Sequence, residues 1–197
     1  MRESPAGAMD EVIEFRTRAG IPARLRVASV KDAPAIIALD HAIVAAGEGI
    51  VVGPDQLRNV EQESRRIDDL YRGFSAGEAT TSVVAELLQP VAAIVGLADL
   101  HQFTPERVRH VATLSVGIHP AHQHQGIGRQ LMQALIDHAR LCGLERLELY
   151  VRADNARARR LYESLGFRHE GTRHRFIKTA DGRYVDDEIW VLFPAPR

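Results

Sequence analysis

Gln123-His124-Gln125-Gly126-Ile127-Gly128-Arg129 is the stretch on which the reading of this chain turns. Upstream, Val111 to Ile118 is mostly apolar or small and ends at His119-Pro120; proline stops a strand because it has no N–H to give to a ladder. Downstream, Leu131, Leu135, Ala139 and Cys142 recur at helical spacing, with Met132 and Ile136 beside them. A strand, a glycine-bearing turn and a helix, in that order, leave backbone N–H groups free at a helix N-terminus. Such a place holds an anion, most often a phosphate. Gly126 and Gly128 carry no Cβ to keep a pyrophosphate off the main chain, and glycine takes positive φ where a turn demands it.

The letters discriminate among the familiar glycine loops. An ATP/GTP phosphate loop needs Gly-Lys followed by Ser or Thr, and the chain has no Gly-Lys pair. A dinucleotide fingerprint needs a third glycine three residues after the second, where this chain has Leu131. What remains is Gln-x-x-Gly-x-Gly, preceded by Val116-Gly117-Ile118-His119-Pro120. A second block follows. Glu145 to Arg152 alternates apolar and polar, placing Leu147, Leu149 and Val151 on one face of a strand. Asp154 and Asn155 then open a helix whose stripe is Ala158, Leu161/Tyr162 and Leu165, with Gly166 at the C-terminal cap. Asn155 and Tyr162 are about two helical turns apart and share that stripe.

Gln-x-x-Gly-x-Gly followed by Asn-x-x-Ala-x-x-Leu-Tyr-x-x-x-Gly-Phe resembles the acetyl-CoA-binding region of the GNAT superfamily of N-acetyltransferases. The resemblance runs from about Ser82 to Leu192; the first 80 or so residues match in element order only. It implies an α+β fold with a mixed, mostly antiparallel sheet, splayed at its central strands and flanked by helices.

The bulk properties fit this. A chain of 197 residues, 45% hydrophobic and 26% charged, suits one domain with a sizeable core. Formal charge is −1, which gives no electrostatic footprint for nucleic acid. The single Cys142 excludes an internal disulfide and suits a reducing cytoplasm. The start (MRESPAGAMDEVIEF) has no apolar signal region, and no run approaches membrane-spanning length. Residues 1–22 read as a loosely held extension and 23–197 as a single domain.

Along the chain, Ala23–Ala28 reads as a strand, and Lys31–Ala46 and Asp55–Phe74 as helices. Ser82–Leu88 and Val91–Leu100 read as a hairpin across Gln89-Pro90; Phe167–Lys178 and Arg183–Phe193 read as two strands around Asp181-Gly182.

The resemblance implies acetyl-CoA as co-substrate and direct attack by an amine in a ternary complex. Backbone groups of Val116, Gly117 and Ile118 would pair with the pantetheine as an added strand. In the family this strand carries a bulge, for which Gly117 is a candidate, although a simple packing gap explains that glycine equally well. The loop from Gln123, through His124, Gln125, Gly126, Ile127 and Gly128, to Arg129 would hold the pyrophosphate, and Asn155 the pantetheine. Arg157, Arg159 and Arg160 could meet the 3′-phosphate or form a solvated helix face. Tyr162 is the candidate general acid toward the leaving thiolate; its alternative is a core aromatic.

The base is open. The family position for a Glu falls on Ala112, leaving His110, Ser115 or a water chain. His119, His122 and His124 overlap the phosphate loop and lack Cys or carboxylate partners, so no metal is expected. The acceptor is expected between His41–Gly53 and Phe176–Asp187. The closing segment leans toward branches that acetylate amino acids or small amines. A protein or peptide acceptor, a non-catalytic acyl-CoA-binding module and a homodimer stay open.

Overall fold

The computed structural model describes residues 12–47, 53–75, 78–179 and 181–194. Among these the strands form one eight-stranded sheet in the order β1 (Ile13–Arg16), β2 (Pro22–Val27), β3 (Thr81–Leu87), β4 (Ala93–Gln102), β5 (Val111–Ile118), β6 (Arg146–Arg152), β8 (Tyr184–Leu192), β7 (Arg168–Lys178). Neighbours are antiparallel except β5 and β6, which run parallel. Four helices flank it: α1 (Ala33–Ala45), α2 (Val60–Ser75), α3 (Ile127–Leu141) and α4 (Ala156–Ser164). This is the mixed, mostly antiparallel sheet expected, and the residues of the described helices include no run long and apolar enough to cross a membrane.

The extension read into residues 1–22 needs correction over its described part. Ile13–Arg16 pairs with β2, Ile13 opposite Leu25 and Arg16 opposite Pro22. The turn closes with Thr17 N–H donating to Ile21 O at 3.0 Å and Gly20 N–H to Thr17 O at 2.8 Å. Gly20 supplies the positive φ that turn needs. Polar letters masked this strand, because an edge strand buries little: Phe15 is the residue of β1 packed on the core. Residues 1–11 lie outside the described residues.

Each sheet face has its own apolar layer. The α3 stripe (Ile127, Leu131, Met132, Leu135, Ile136, Ala139) is buried against Val83, Ala85, Ala98, Leu100 and Leu114. Burying side chains of this size contributes roughly 1.5–3 kcal/mol each. On the other face Ile36, Leu39 and Ile43 of α1 pack with Val84 and Leu97. Ala85 sits opposite Gly96 but Glu86 opposite Ile94, so Val95 is bulged out of the ladder. The extra residue shifts the alternation: Val95 joins the α3 layer with Ala98, while Ile94 joins Leu97 in the α1 layer.

The sheet parts in the middle. β5 and β6 share the register pairs Val111–Arg146, Ala112–Leu147 and Thr113–Glu148. Beyond them β5 keeps its full pairing with β4, through Gly117–Leu97 to Ile118–Gly96. From Tyr150 onward β6 is held by β8.

Candidate active site

A cavity of about 680 Å³ fills this gap, reached by α1, the loop before α2, the loop into α3, and α4. The edge of β5 facing it can be assigned from register. Val111 O accepts from Phe103 N–H, and His119 N–H donates to Val95 O, so odd-numbered residues of β5 turn their backbone groups to β4. His110 O accepts from Arg146 N–H on the other side. By alternation, Val116 and Ile118 direct their N–H and C=O into the gap, whereas those of Gly117 are spent on β4. The expectation that Gly117 would add a backbone contact is therefore corrected. Nor does β5 bulge there, since its register with β4 is continuous. Gly117 serves packing: a Cβ on it would lie 2.9 Å from Ile43 Cδ1.

The loop into α3 carries two left-handed residues, His124 at φ 63° and Gly126 at φ 83°. Gly126 caps the helix, its carbonyl accepting from Arg129 and Gln130 N–H. The N–H groups of Gly126, Ile127 and Gly128 find no acceptor among the described residues. Together with the helix dipole they present donors that an anion could accept. Gly128 keeps ordinary φ, and a Cβ there would meet Leu161 Cδ2 at 3.5 Å. Gln123 does not face the loop alone, because its Oε1 accepts from Arg157. Gln125 takes Ala19 N–H on its Oε1 at 2.9 Å and points to the β1–β2 turn. Arg129 reaches across to Ser164 Oγ at 2.6 Å.

On α4, Asn155 Oδ1 caps its own helix by accepting Ala158 N–H at 3.1 Å, so its side-chain N–H₂ is the group left to face the cavity it lines. Tyr162 lines the same wall, 7% exposed, with its ring 6.0 Å from that of Phe167. Its hydroxyl bonds to nothing among the described residues. Burial pushes its pKa up to about 12. Arg157 lines the cavity, Arg159 pairs with Glu188 at 3.0 Å and Arg160 is exposed.

The far end of the cavity holds carboxylates that the sequence reading missed. Asp99 of β4 accepts Ser82 Oγ–H at 2.6 Å, Arg66 at 3.1 Å and Ser115 Oγ–H at 3.4 Å. Behind it, fully buried Glu63 is held by Arg66 and Arg58, at 2.6 and 2.5 Å. Asp40 of α1 also lines the cavity but has no hydrogen-bond partner among the described residues. Desolvation first, then the charge of Glu63, raise its pKa above the usual carboxylate value. A sequence signal existed: Asp40 follows Ile36 by four residues and precedes Ile43 by three, which places an acid on the buried stripe of α1.

Two acceptor-side expectations are corrected. His110 is exposed at the joined end of β5, its carbonyl tied to Glu145 and Arg146 N–H, and it does not line the cavity. The gap opens only beyond Thr113, so a residue before β5 is too early to reach it; Ser115 does line it. The described residues of Phe176–Asp187 do not line it either. Asp181 pairs with Arg183, Asp187 with Arg173, and Asp186 bonds His174 and Arg175 N–H, so the acids of that hairpin are engaged within it. Of His41–Gly53, Ile43 contributes, while Glu48 lies outside the described residues. Cys142 lies outside the cavity lining, and burial raises its thiol to about 11, which disfavours a covalent role.

The cavity thus has Arg18, Arg129 and Arg157 around free amides at one end, and Asp40 and Asp99, with Arg58 beside them, at the other. A model of the Acetyltransferase (GNAT) family matches residues 54–167. The [Ribosomal protein bS18]-alanine N-acetyltransferase of Escherichia coli (strain K12) is 44% identical over 84 residues, 42% of this chain and 55% of that protein. The L-amino acid N-acyltransferase MnaT of Escherichia coli (strain K12) is 42% identical over 78 residues, 40% and 45% of the two chains. The chain thus spans about half the length of these curated relatives. The structure of yncA from Salmonella typhimurium with its cofactor acetyl-CoA superposes with a TM-score of 0.75, at 25% identity over 88% of this chain and 94% of that one.

Proposed function

The chain belongs to the acetyltransferase (GNAT) family, and from that premise we propose that it transfers an acetyl group from acetyl-CoA to the primary amine of a small molecule or amino acid, by direct attack in the cavity. One observation carries this reading. Free helix-end amides, an unpaired β5 edge and an unbonded phenol lie along one cavity that ends in carboxylates.

In this reading the amides of Gly126, Ile127 and Gly128 hold the pyrophosphate, each charge-assisted bond contributing about 1.5–3 kcal/mol. Val116 and Ile118 pair with the pantetheine amides as a neighbouring strand would. An amine acceptor arrives as ammonium at neutral pH. Asp40, the cavity carboxylate with no other bond, takes its proton, while Asp99 is fixed by Ser82 and Arg66 and supplies negative field. The nitrogen lone pair forms the C–N bond to the acetyl carbonyl. Collapse of the tetrahedral species sends the C–S electrons to sulfur, and the nitrogen gives its second proton to water in the open cavity. Tyr162 meets the thiolate. Full proton transfer from a phenol at about 12 to a thiolate whose thiol has pKa about 8.5 is unfavourable by roughly 5 kcal/mol. Tyr162 therefore acts by donating a hydrogen bond, and the thiolate takes its proton from solvent as it leaves.

A second reading, acetylation of a protein or peptide amine, draws on the similarity to the bS18-alanine enzyme. The test is a panel of amines, amino acids and peptides incubated with acetyl-CoA, followed by free-thiol release and product mass. Thermal-shift ranking of acetyl-CoA, ATP and NAD accompanies it; a ligand at a hundred times its Kd stabilises by about 2.7 kcal/mol. Stabilisation by ATP or NAD in preference to acetyl-CoA would remove the cofactor assignment.

A further inference from the structure

The β1–β2 turn lies outside the span matched by the family, yet it is fastened to the loop that enters α3. Arg18 N–H donates to Gln125 O at 3.0 Å and Ala19 N–H to Gln125 Oε1 at 2.9 Å. Arg18 Nη1 reaches His124 O at 3.4 Å. The stem of Arg18 runs beside Gly126, where a Cβ would sit 3.9 Å from Arg18 Cγ. Arg18 is thereby a wall of the cavity, next to the Gly126, Ile127 and Gly128 amides.

Its charge is uncompensated. Arg24, Arg26, Arg58, Arg66, Arg146 and Arg173 are each paired with a carboxylate, whereas the one side-chain bond of Arg18 among the described residues goes to the neutral His124 carbonyl. A guanidinium has five donors in a planar fork, so that single bond leaves most of them for a ligand. An unpaired cation beside amides that lack acceptors is an arrangement that a dianion completes.

We propose that the β1–β2 hairpin is a working part of the donor site and that Arg18 contacts the pyrophosphate of acetyl-CoA. This rests on the acetyl-CoA reading above. The diphosphate is named over the 3′-phosphate because Arg18 bonds His124 O and passes beside Gly126, the two left-handed residues that shape the amide cradle. The hairpin also steadies that cradle through Gln125.

Titration calorimetry with CoA and with dephospho-CoA, which lacks only the 3′-phosphate, tests it on the full chain. Arg18→Met keeps the stem over Gly126 and the backbone bonds to Gln125 while removing the charge; Arg18→Gln removes charge and shortens the stem. Both variants should bind CoA and dephospho-CoA about tenfold more weakly, with a shallower dependence on salt than the native chain. An unchanged affinity in Arg18→Met overturns the proposal. A loss seen with CoA and not with dephospho-CoA overturns the diphosphate assignment. Failure of the native chain to bind either ligand defeats the acetyl-CoA reading itself, which is a separate result.

Discussion

Replacing Tyr162 with Phe removes one oxygen and leaves the ring. In most buried tyrosines that change costs stability, because a partner is stranded when the hydroxyl goes. Here no described group bonds the hydroxyl, and the packing of the ring against Phe167 is kept. The thermal midpoint should therefore stay within a degree or two, and the Kd for acetyl-CoA within about twofold. The kinetic effect should be larger. A hydrogen bond to a charged acceptor is worth about 1.5–3 kcal/mol, and this one exists only once sulfur carries charge. At 1.36 kcal/mol per factor of ten, kcat should fall about 10- to 150-fold, and kcat/KM with it. Burial holds the phenol at about 12, so the native pH–rate profile should show no alkaline limb from Tyr162 below that value. Stopped-assay thiol release with saturating donor, alongside differential scanning fluorimetry, measures both quantities. A kcat within twofold of native would refute the role, and a fall in Tm of several degrees would show that the hydroxyl has a structural partner.

Asp40→Asn should lower kcat/KM about 100-fold near neutral pH, a deficit that shrinks as pH rises toward the amine's own pKa; a pH-independent deficit would make Asp40 a packing residue. Because the Asp40 pKa is raised, the acid limb of the native profile should lie above that of an ordinary aspartate and vanish in the variant. Gly117→Ala brings a Cβ within 2.9 Å of Ile43 Cδ1, the tip of a side chain that lines the cavity and can turn aside, and should cost less than about 1 kcal/mol in urea unfolding; a loss of several kcal/mol would show that Ile43 is locked in place. Gly126→Ala should cost about 1–2 kcal/mol because the residue sits in the left-handed region, whereas Gly128→Ala should cost clearly less; equal losses contradict the loop geometry. His138 is 1% exposed, donates to Ala79 O at 2.9 Å, and is held below its ordinary value of 6.5 by burial. The unfolded chain then binds the extra proton first, so stability drops as pH falls below 6.5. His138→Gln should flatten that slope, and an unchanged slope would place the titration elsewhere.

The parts of the fold that repeat a pattern were legible. Val111–Ile118 reads as a strand because its letters are mostly apolar or small and end at a proline, and it is one. The loop and α3 follow from glycine spacing and an apolar stripe. Asp55–Phe74 was read too long at its start, since Pro54–Gln56 is a separate 3₁₀ turn and α2 begins at Val60. β1 was hidden because pairing at a sheet edge needs backbone groups more than apolar side chains. The candidate site divides in the same way. Its main-chain half announces itself through glycine, whose absence of a side chain is the signal. Its carboxylate half comes from α1 and β4, separated in the chain and joined only by packing, so Asp40 and Asp99 share no local spacing. Arg18 is further removed still, brought in by a turn whose contacts are to Gln125.

The inward edge at Val116 and Ile118 has a practical corollary for anyone dissecting this protein by mutagenesis. Contacts made by peptide groups survive side-chain truncation, so an alanine scan across β5 would report core packing and stay silent on donor recognition. Proline at 116, or an ester in place of the amide, would delete one rung and leave the neighbouring side chains as they were. If β5 pairs with the donor as proposed, a conventional scan would score Val116 and Ile118 as neutral for binding.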